Sequence, residues 1–313
     1  GALSVPLVDN VLAARAVFQY SGNDGYGRTL PGKKVGGEIT KPARLNISYE
    51  PGDRVRLHLS GDYQKIDGQG IMTRLSWINP YPQAPGSILP APITILRAAL
   101  VQQGLPDTPA NRQTVYDYLK TLVIGSGQGN FYDTPTRTPQ WNSAKSYGVS
   151  GTLEFDLSDS TTLKSITANR WASRDSLVDF DGMPYTIFEP YYNTDSKVFS
   201  EEVQLLSELS SKFSWILGGY YSRETGTDFS TSRTAPPLLA ANPSVSGGDV
   251  VNKSLAAFGQ ANYDLSDQVR VTAGLRWTKE DKSLVNRNHI ALGCNLPPSM
   301  LIPGQCAVFL EDS

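Results

Sequence analysis

The sequence predicts an all-β protein: an antiparallel, up-and-down transmembrane β-barrel segment of about nine strands, part of a larger barrel. Three observations carry this. Apolar and polar residues alternate along many short segments. Short and long connections alternate strictly between them. Aromatic residues gather at the two ends of the apolar faces. The expected barrel has short periplasmic turns, long extracellular loops and one partly helical long loop.

The clearest strand follows the turn DLSD at 264–267. Val269, Val271, Ala273, Leu275 and Trp277 share one face, and Arg270, Thr272, Gly274, Arg276 and Thr278 share the other. From Val269 to Trp277 the strand runs about 26 Å, or roughly 20 Å of height at a tilt of ~40°, near the ~25 Å apolar band of a membrane barrel. The apolar face is read as meeting lipid, and Arg270 and Arg276 as facing the lumen.

The same alternation places Ala43, Leu45, Ile47 and Tyr49 on one face. Further along, Val55, Leu57, Leu59, Gly61 and Tyr63 share a face, as do Tyr147, Val149, Gly151, Leu153 and Phe155. It is blurred over Trp215–Tyr221. Weaker strands are expected over 11–20, 161–172, 197–207 and 253–263. Glu50–Asp53, Asp156–Ser160, Glu208–Lys212 and Asp264–Gln268 form the short turns. Residues 21–42, 66–142, 173–196, 225–252 and 283 onward form the long loops. YEPGDRVRLHLSG (49–61), FDLSDSTTLKSIT (155–167) and YDLSDQVRVTAGL (263–275) repeat one hairpin solution of aromatic, turn and strand.

The polar faces carry Arg44, Arg56, His58, Asp62, Lys164, Glu202 and Gln204. A dry core would not hold so many charges, whereas a wet or plugged lumen would. Charged residues are 19% of the 313, and the net charge of −2 gives no basic footprint for nucleic acid. No apolar run is long enough for a transmembrane helix, which says nothing against a barrel. GALSVPLVDNVLAARA lacks the pattern of a signal peptide, and both ends read as mid-chain.

Within 66–142, ITILRAALVQQG (93–104) has helical spacing through Ile93, Leu96, Leu100 and Val101. A second helix is expected from Thr108 as N-cap and Pro109, running through Val115, Tyr118, Leu119 and Leu122. The helices form either a lid, an outer binding surface or a packed decoration.

Two stretches, VFSEEVQLLSELSSKFSWILGGYYSRE (198–224) and SLAAFGQANYDLSDQVRVTAGLRWTKEDK (254–282), closely resemble the barrel of TonB-dependent outer-membrane receptors of the siderophore-receptor type. The Ser-Glu-Glu-x-Gln-Leu, Gly-Gly-x-Tyr and Ala-Gly-Leu-Arg-Trp-Thr strands carry the likeness. PLVDNVLAARAVFQYSGNDGY (6–26) resembles the first strand after the plug. The resemblance implies a barrel of about 22 strands filled by an N-terminal plug, of which 1–313 would be a partial barrel domain without plug or C-terminal strands. It further implies active uptake of a scarce nutrient across the outer membrane of a Gram-negative bacterium. A ferric siderophore is the leading cargo, with haem, cobalamin or a glycan as other cargoes. The energy would come from the TonB–ExbB–ExbD complex acting on a monomeric barrel in outer-membrane lipid. The contrasting reading is a soluble or secreted β-rich carbohydrate-binding protein, in which the Val269–Trp277 face packs against another sheet.

No catalytic or metal-binding constellation is expected, and no cofactor beyond iron as cargo. His58 sits on a polar strand face and His289 near the end. Glu201 and Glu202 are adjacent in a strand and point to opposite faces. Asp179 and Asp181, at i and i+2, read as a solvated loop sooner than a cation site. Substrate contacts are expected in the long loops and upper lumen, with Trp77, Tyr81, Trp141, Tyr191, Tyr192 and Arg233 as candidates, since aromatics and arginines suit anionic or catecholate ligands. Cys294 and Cys306 are read as a loop disulfide, which needs an oxidising compartment, against the alternative of two free thiols.

Overall fold

The computed structural model describes residues 1–82, 93–124, 130–234 and 241–292. Cys294 and Cys306 lie outside them. Ten antiparallel strands form one continuous meander. In order they are β1 (Ala2–Val8), β2 (Leu12–Phe18), β6 (Glu38–Gly52), β7 (Val55–Gly68) and β8 (Trp141–Ser158), then β9 (Thr161–Leu177), β10 (Phe188–Ser210), β11 (Phe213–Thr234), β12 (Ala241–Ser266) and β13 (Val269–Asn286). Two short strands extend this path: β3 (Ser21–Asn23) pairs with β6 above β2, and β14 (His289–Leu292) pairs with β12 above β13. A small separate ribbon joins β4 (Gly27–Arg28) to β5 (Lys34–Val35). Among the described residues β1 and β13 each have one neighbour, so the sheet is open.

The register aligns the predicted faces from strand to strand. Val271 pairs with Tyr263, and Tyr263 with Phe213; Leu275 pairs with Gly259, and Gly259 with Leu217. Directly opposed residues point to the same side, so the apolar stripes merge into one band across the wall. The band is bare: on interior strands, Val149 is 58% exposed and Leu217 55%. Glu201 interrupts it. It shares this face with Ser165 and Thr167, whose hydroxyls donate to its carboxylate. Glu202 points the other way and accepts from Gln204.

Tight turns at residues 9–11, 53–54, 159–160, 211–212 and 267–268 all lie at one end of the sheet. The sorting of connections agrees with the expectation, with two corrections. First, β1 joins the wall. It carries Pro6, and the register against β2 shifts between Pro6 and Val8, an irregularity of the kind at which a strand accommodates a proline. Second, most of 173–196 and 225–252 is strand. β10, β11 and β12 run for 23, 22 and 26 residues. At ~3.3 Å per residue β12 spans about 85 Å, well beyond a band ~25 Å tall. Above Tyr221 and Trp277 both faces carry polar residues with scattered apolar ones such as Phe229, Leu284 and Val285, so no alternation marks those residues. Their ladder hydrogen bonds keep them extended, with cross-strand side-chain pairs such as Thr194 with Asp228 and Asn252 with Glu224.

The wall contributes little to the protein's interior. The hydrophobic core sits above it, in a cap built from α1 (Ile93–Gln103), α2 (Pro109–Thr121) and the β9–β10 connection at 178–187. Leu96, Leu100, Val115, Tyr116, Leu119, Met183 and Ile187 are buried there. α1 ends at Gly104, whose φ of 65° closes the helix: Leu105 N–H donates to the Leu100 carbonyl and Gly104 N–H to that of Val101. Thr108 caps α2, accepting from Asn111 N–H at 3.2 Å, with Pro109 next in line. Two core assignments change. Val101 is 62% exposed, and Tyr116 is buried where Tyr118 was expected.

Candidate functional site

The polar face of the wall is laced with ion pairs in two tiers. In the lower tier Arg56 meets Glu154 at 3.0 Å and Asp156 at 2.8 Å, and Lys164 meets Glu154 at 2.9 Å. The register makes this possible, because Arg56 pairs with Glu154 and Glu154 with Lys164 on adjacent strands. In the upper tier Arg170 grips both oxygens of Asp62, at 2.6 and 3.0 Å, across the bare backbone of Gly148. Arg276 lies over the rings of Tyr220 and Phe258, with centroids at 5.8 and 5.4 Å. Between the tiers a basin of about 500 Å³ is lined by His58, Arg15 and small polar residues together with apolar ones such as Ile47 and Leu59. His58 is therefore a wall residue of the polar face.

At the opposite end from the tight turns, the long connections interlock. Asp179 and Asp181 are not solvated, contrary to the loop reading: Asp179 is 1% exposed. Its Oδ1 accepts from the N–H groups of Asp181 and Gly182, both at 2.9 Å. Asp181 accepts from Met183, Ile187 and Phe188 N–H. The sequence DFDGMPYTIF is thus wound around its own two carboxylates. Burial, reinforced by the Asp179 charge, pushes the Asp181 carboxyl up to about 7. Among the described residues no group of three His, Cys, Asp or Glu side chains is arranged to hold a metal.

This winding presents Pro184 and Tyr185 to the helices. Gln102 staples the loop to α1, with its amide donating to Thr186 carbonyl at 3.0 Å and accepting from Thr186 N–H at 2.9 Å. Between them is a cavity of about 580 Å³, lined by residues of α1 and α2 together with Leu105, Arg137, Pro184 and Tyr185. Burial and the neighbouring Tyr118 hydroxyl hold the Tyr185 phenol above its ordinary value, while Arg137 opposes them.

The six residues expected to contact substrate are scattered. Trp77 is 59% exposed in the connection leading to α1. Tyr81 packs on Tyr116 at 5.9 Å, inside the cap. Trp141 and Tyr191 lie 6.1 Å apart, and their register puts both on the side of the apolar band, above it. Arg233, opposite Glu189, has the same orientation. Tyr192 alone projects to the polar side. It meets Phe180 edge-on, and Phe180 stacks on Phe188 at 5.9 Å. Arg137 and Tyr185 went unnoticed in the sequence; no spacing pairs residue 137 with residue 185, and only the docking of the loop on α2 brings them together.

The chain resembles known proteins in two ways. In backbone, it superimposes on the ferric yersiniabactin uptake receptor of Yersinia pestis with a TM-score of 0.62, at 11% identity, over 94% of this chain and 38% of that one. On the ferric-catecholate import receptor of Escherichia coli K12 the TM-score is 0.60, at 12% identity, over 99% and 42%. The ferripyoverdine receptor of Pseudomonas aeruginosa gives 0.58, at 11% identity, over 92% and 37%. The chain thus spans about two fifths of the length of these receptors, with 38% and 42% for the first two. No curated protein matches it in sequence. In sequence, residues 96–291 match the model of the TonB-dependent receptor-like β-barrel. That match covers most of the wall and the helical cap, and the chain belongs to the TonB-dependent receptor β-barrel family.

Proposed function

We propose that this chain forms part of an outer-membrane receptor that binds a ferric siderophore and carries it inward, driven by the TonB–ExbB–ExbD complex. The observation that carries the reading is the apolar band that crosses the wall, interrupted at Glu201. A wall with Leu217 and Val149 more than half exposed on one side and ion-paired Arg56, Glu154 and Arg170 on the other suits lipid outside and water inside. A β-rich binding protein in solution would cover that band with a second sheet, and here it is bare. The names of the receptors it resembles support iron-complex cargo, and the aromatic stack of Phe180, Phe188 and Tyr192 offers such a cargo a contact at the mouth. Iron is cargo in this reading, and the chain works as a receptor with no chemistry of its own.

The test is uptake by cells. A strain lacking the gene is compared with its complemented parent under iron limitation, using a panel of radiolabelled ferric siderophores. Loss of one label's accumulation, restored by complementation and abolished by removal of TonB, is the expected result. Unchanged accumulation of every label, together with recovery of the protein in the soluble fraction without detergent, refutes the reading.

A further inference from the structure

The cavity inside the cap has no part in the barrel wall. We propose that it is a binding site for a small organic carboxylate. Four features carry this.

The first is preorganisation. The walls of the cavity are fixed before any ligand arrives. α1 and α2 share a buried core with Met183 and Ile187, and the 178–187 loop is held by five backbone donations to Asp179 and Asp181 and by the reciprocal pair of Gln102 with Thr186. A pocket that needs no reordering keeps more of its contact energy as affinity.

The second is size. At about 580 Å³ the cavity lies within the range of small-molecule sites. The third is charge. Arg137 is the only charged side chain among its lining residues, and none of the ion pairs among the described residues includes it. The Tyr185 phenol is close enough for Arg137 to influence its ionisation, and Tyr118 lies beside Tyr185. One guanidinium and two phenolic O–H groups are all donors towards an anion. The lining amides are largely committed elsewhere: Gln103 donates to Ala99 carbonyl and Asn111 to Pro106 carbonyl.

The fourth is the apolar lining. Val115, Leu105 and Pro184 give the lining apolar surface alongside the donors. A single cation with apolar surface matches a monoanion with a hydrocarbon body, and a carboxylate accepts from a guanidinium on both oxygens. A phosphate dianion would leave one charge uncompensated there.

The site extends the uptake reading without depending on it, because binding at equilibrium in detergent needs neither TonB nor iron. The probe is benzoate, with benzamide as its uncharged analogue, added to the full-length protein in micelles and followed by ligand-observed NMR. Benzoate is expected to bind and benzamide to give no saturable signal. Arg137→Gln is expected to weaken benzoate by about tenfold or more, the loss of one charge-assisted contact, and Arg137→Lys to retain part of it. Arg137 is exposed, so these variants leave the cap core intact. Tyr185→Phe removes one donor while keeping the ring, and a smaller loss is expected. Equal binding of benzoate by the parent and Arg137→Gln, equal binding of benzamide, or no benzoate binding by the parent would each overturn the proposal.

Discussion

Leu275→Arg separates the two faces of the wall. Leu275 lies six residues beyond the tight turn that ends at Val269. At ~3.3 Å per residue and a tilt of ~40° this places it roughly 15 Å up, near the middle of a ~25 Å band. Its cross-strand partner is Gly259, which has no side chain to shield it, and it is 82% exposed. An arginine there costs about 2–4 kcal/mol if the surrounding medium is hydrocarbon. The control is already built into the strand: Arg276, one residue on and facing the other way, is stacked on Tyr220 and Phe258. Thr272→Arg, on that same polar side, is expected to cost well under 1 kcal/mol, as a solvated surface change does. The full-length protein is folded into lipid vesicles and titrated with guanidinium, and the two variants are compared with the parent. Equal shifts for Leu275→Arg and Thr272→Arg would refute the assignment of faces.

Three further outcomes are expected. Gly218 and Gly219 are neighbours with opposite exposures to packing: a Cβ on Gly218 would lie 2.2 Å from the Phe258 ring, whereas one on Gly219 meets nothing nearer than 3.9 Å. Gly218→Ala should therefore lower stability by about 1–3 kcal/mol, and Gly219→Ala should be near neutral, as read by denaturant midpoints; the reverse order would contradict the packing. Leu96→Ala, at a fully buried position of the cap, should cost about 2–5 kcal/mol of local stability. Hydrogen exchange should accelerate in α1, α2 and 178–187 while the wall keeps its protection. The third concerns pH. Asp181 is raised from 3.8 to about 7 in the folded cap, so its contribution is fully present below the unfolded value and is lost as pH rises through 7. Amides of 178–188, corrected for intrinsic rates, should be better protected at pH 5 than at pH 8, and a flat profile would exclude that role for Asp181.

The wall was legible where one face had to differ from the other. Val269–Trp277, Val55–Tyr63 and Tyr147–Phe155 alternate because their two sides meet different surroundings. Residues 188–196 and 224–234 do not alternate, since above the band both sides are wet, and nothing in their composition separates a long strand from a loop. β1, with Leu3, Val5 and Leu7 on one face, is short and interrupted by Pro6, and its register against β2 shifts just beyond it. The helices were legible from Leu96 and Leu100 spacing and the Thr108-Pro109 start, but the choice between Tyr116 and Tyr118 depended on where the 178–187 loop would dock. The candidate contacts were read by residue type, and type carries no orientation. Trp141, Tyr191 and Tyr192 are alike in chemistry, and the pleat sends only Tyr192 to the polar side.

The location of the buried core has a consequence for how the chain acquires its shape. On the proposed reading the wall's apolar band is covered by lipid, whereas the cap encloses Leu96, Leu100, Val115 and Leu119 by itself. A hairpin such as β12–β13 has nothing to bury until it meets a bilayer and its neighbours, whereas α1, α2 and their loop can collapse as soon as 178–187 arrives. On that reading two solvents act on one polypeptide, so wall and cap each have their own midpoint of unfolding, and the wall variants are compared through the wall's transition. Conditions that dissolve the membrane should strip the wall of its support and leave the cap folded, and warming in intact vesicles should release them in the opposite order.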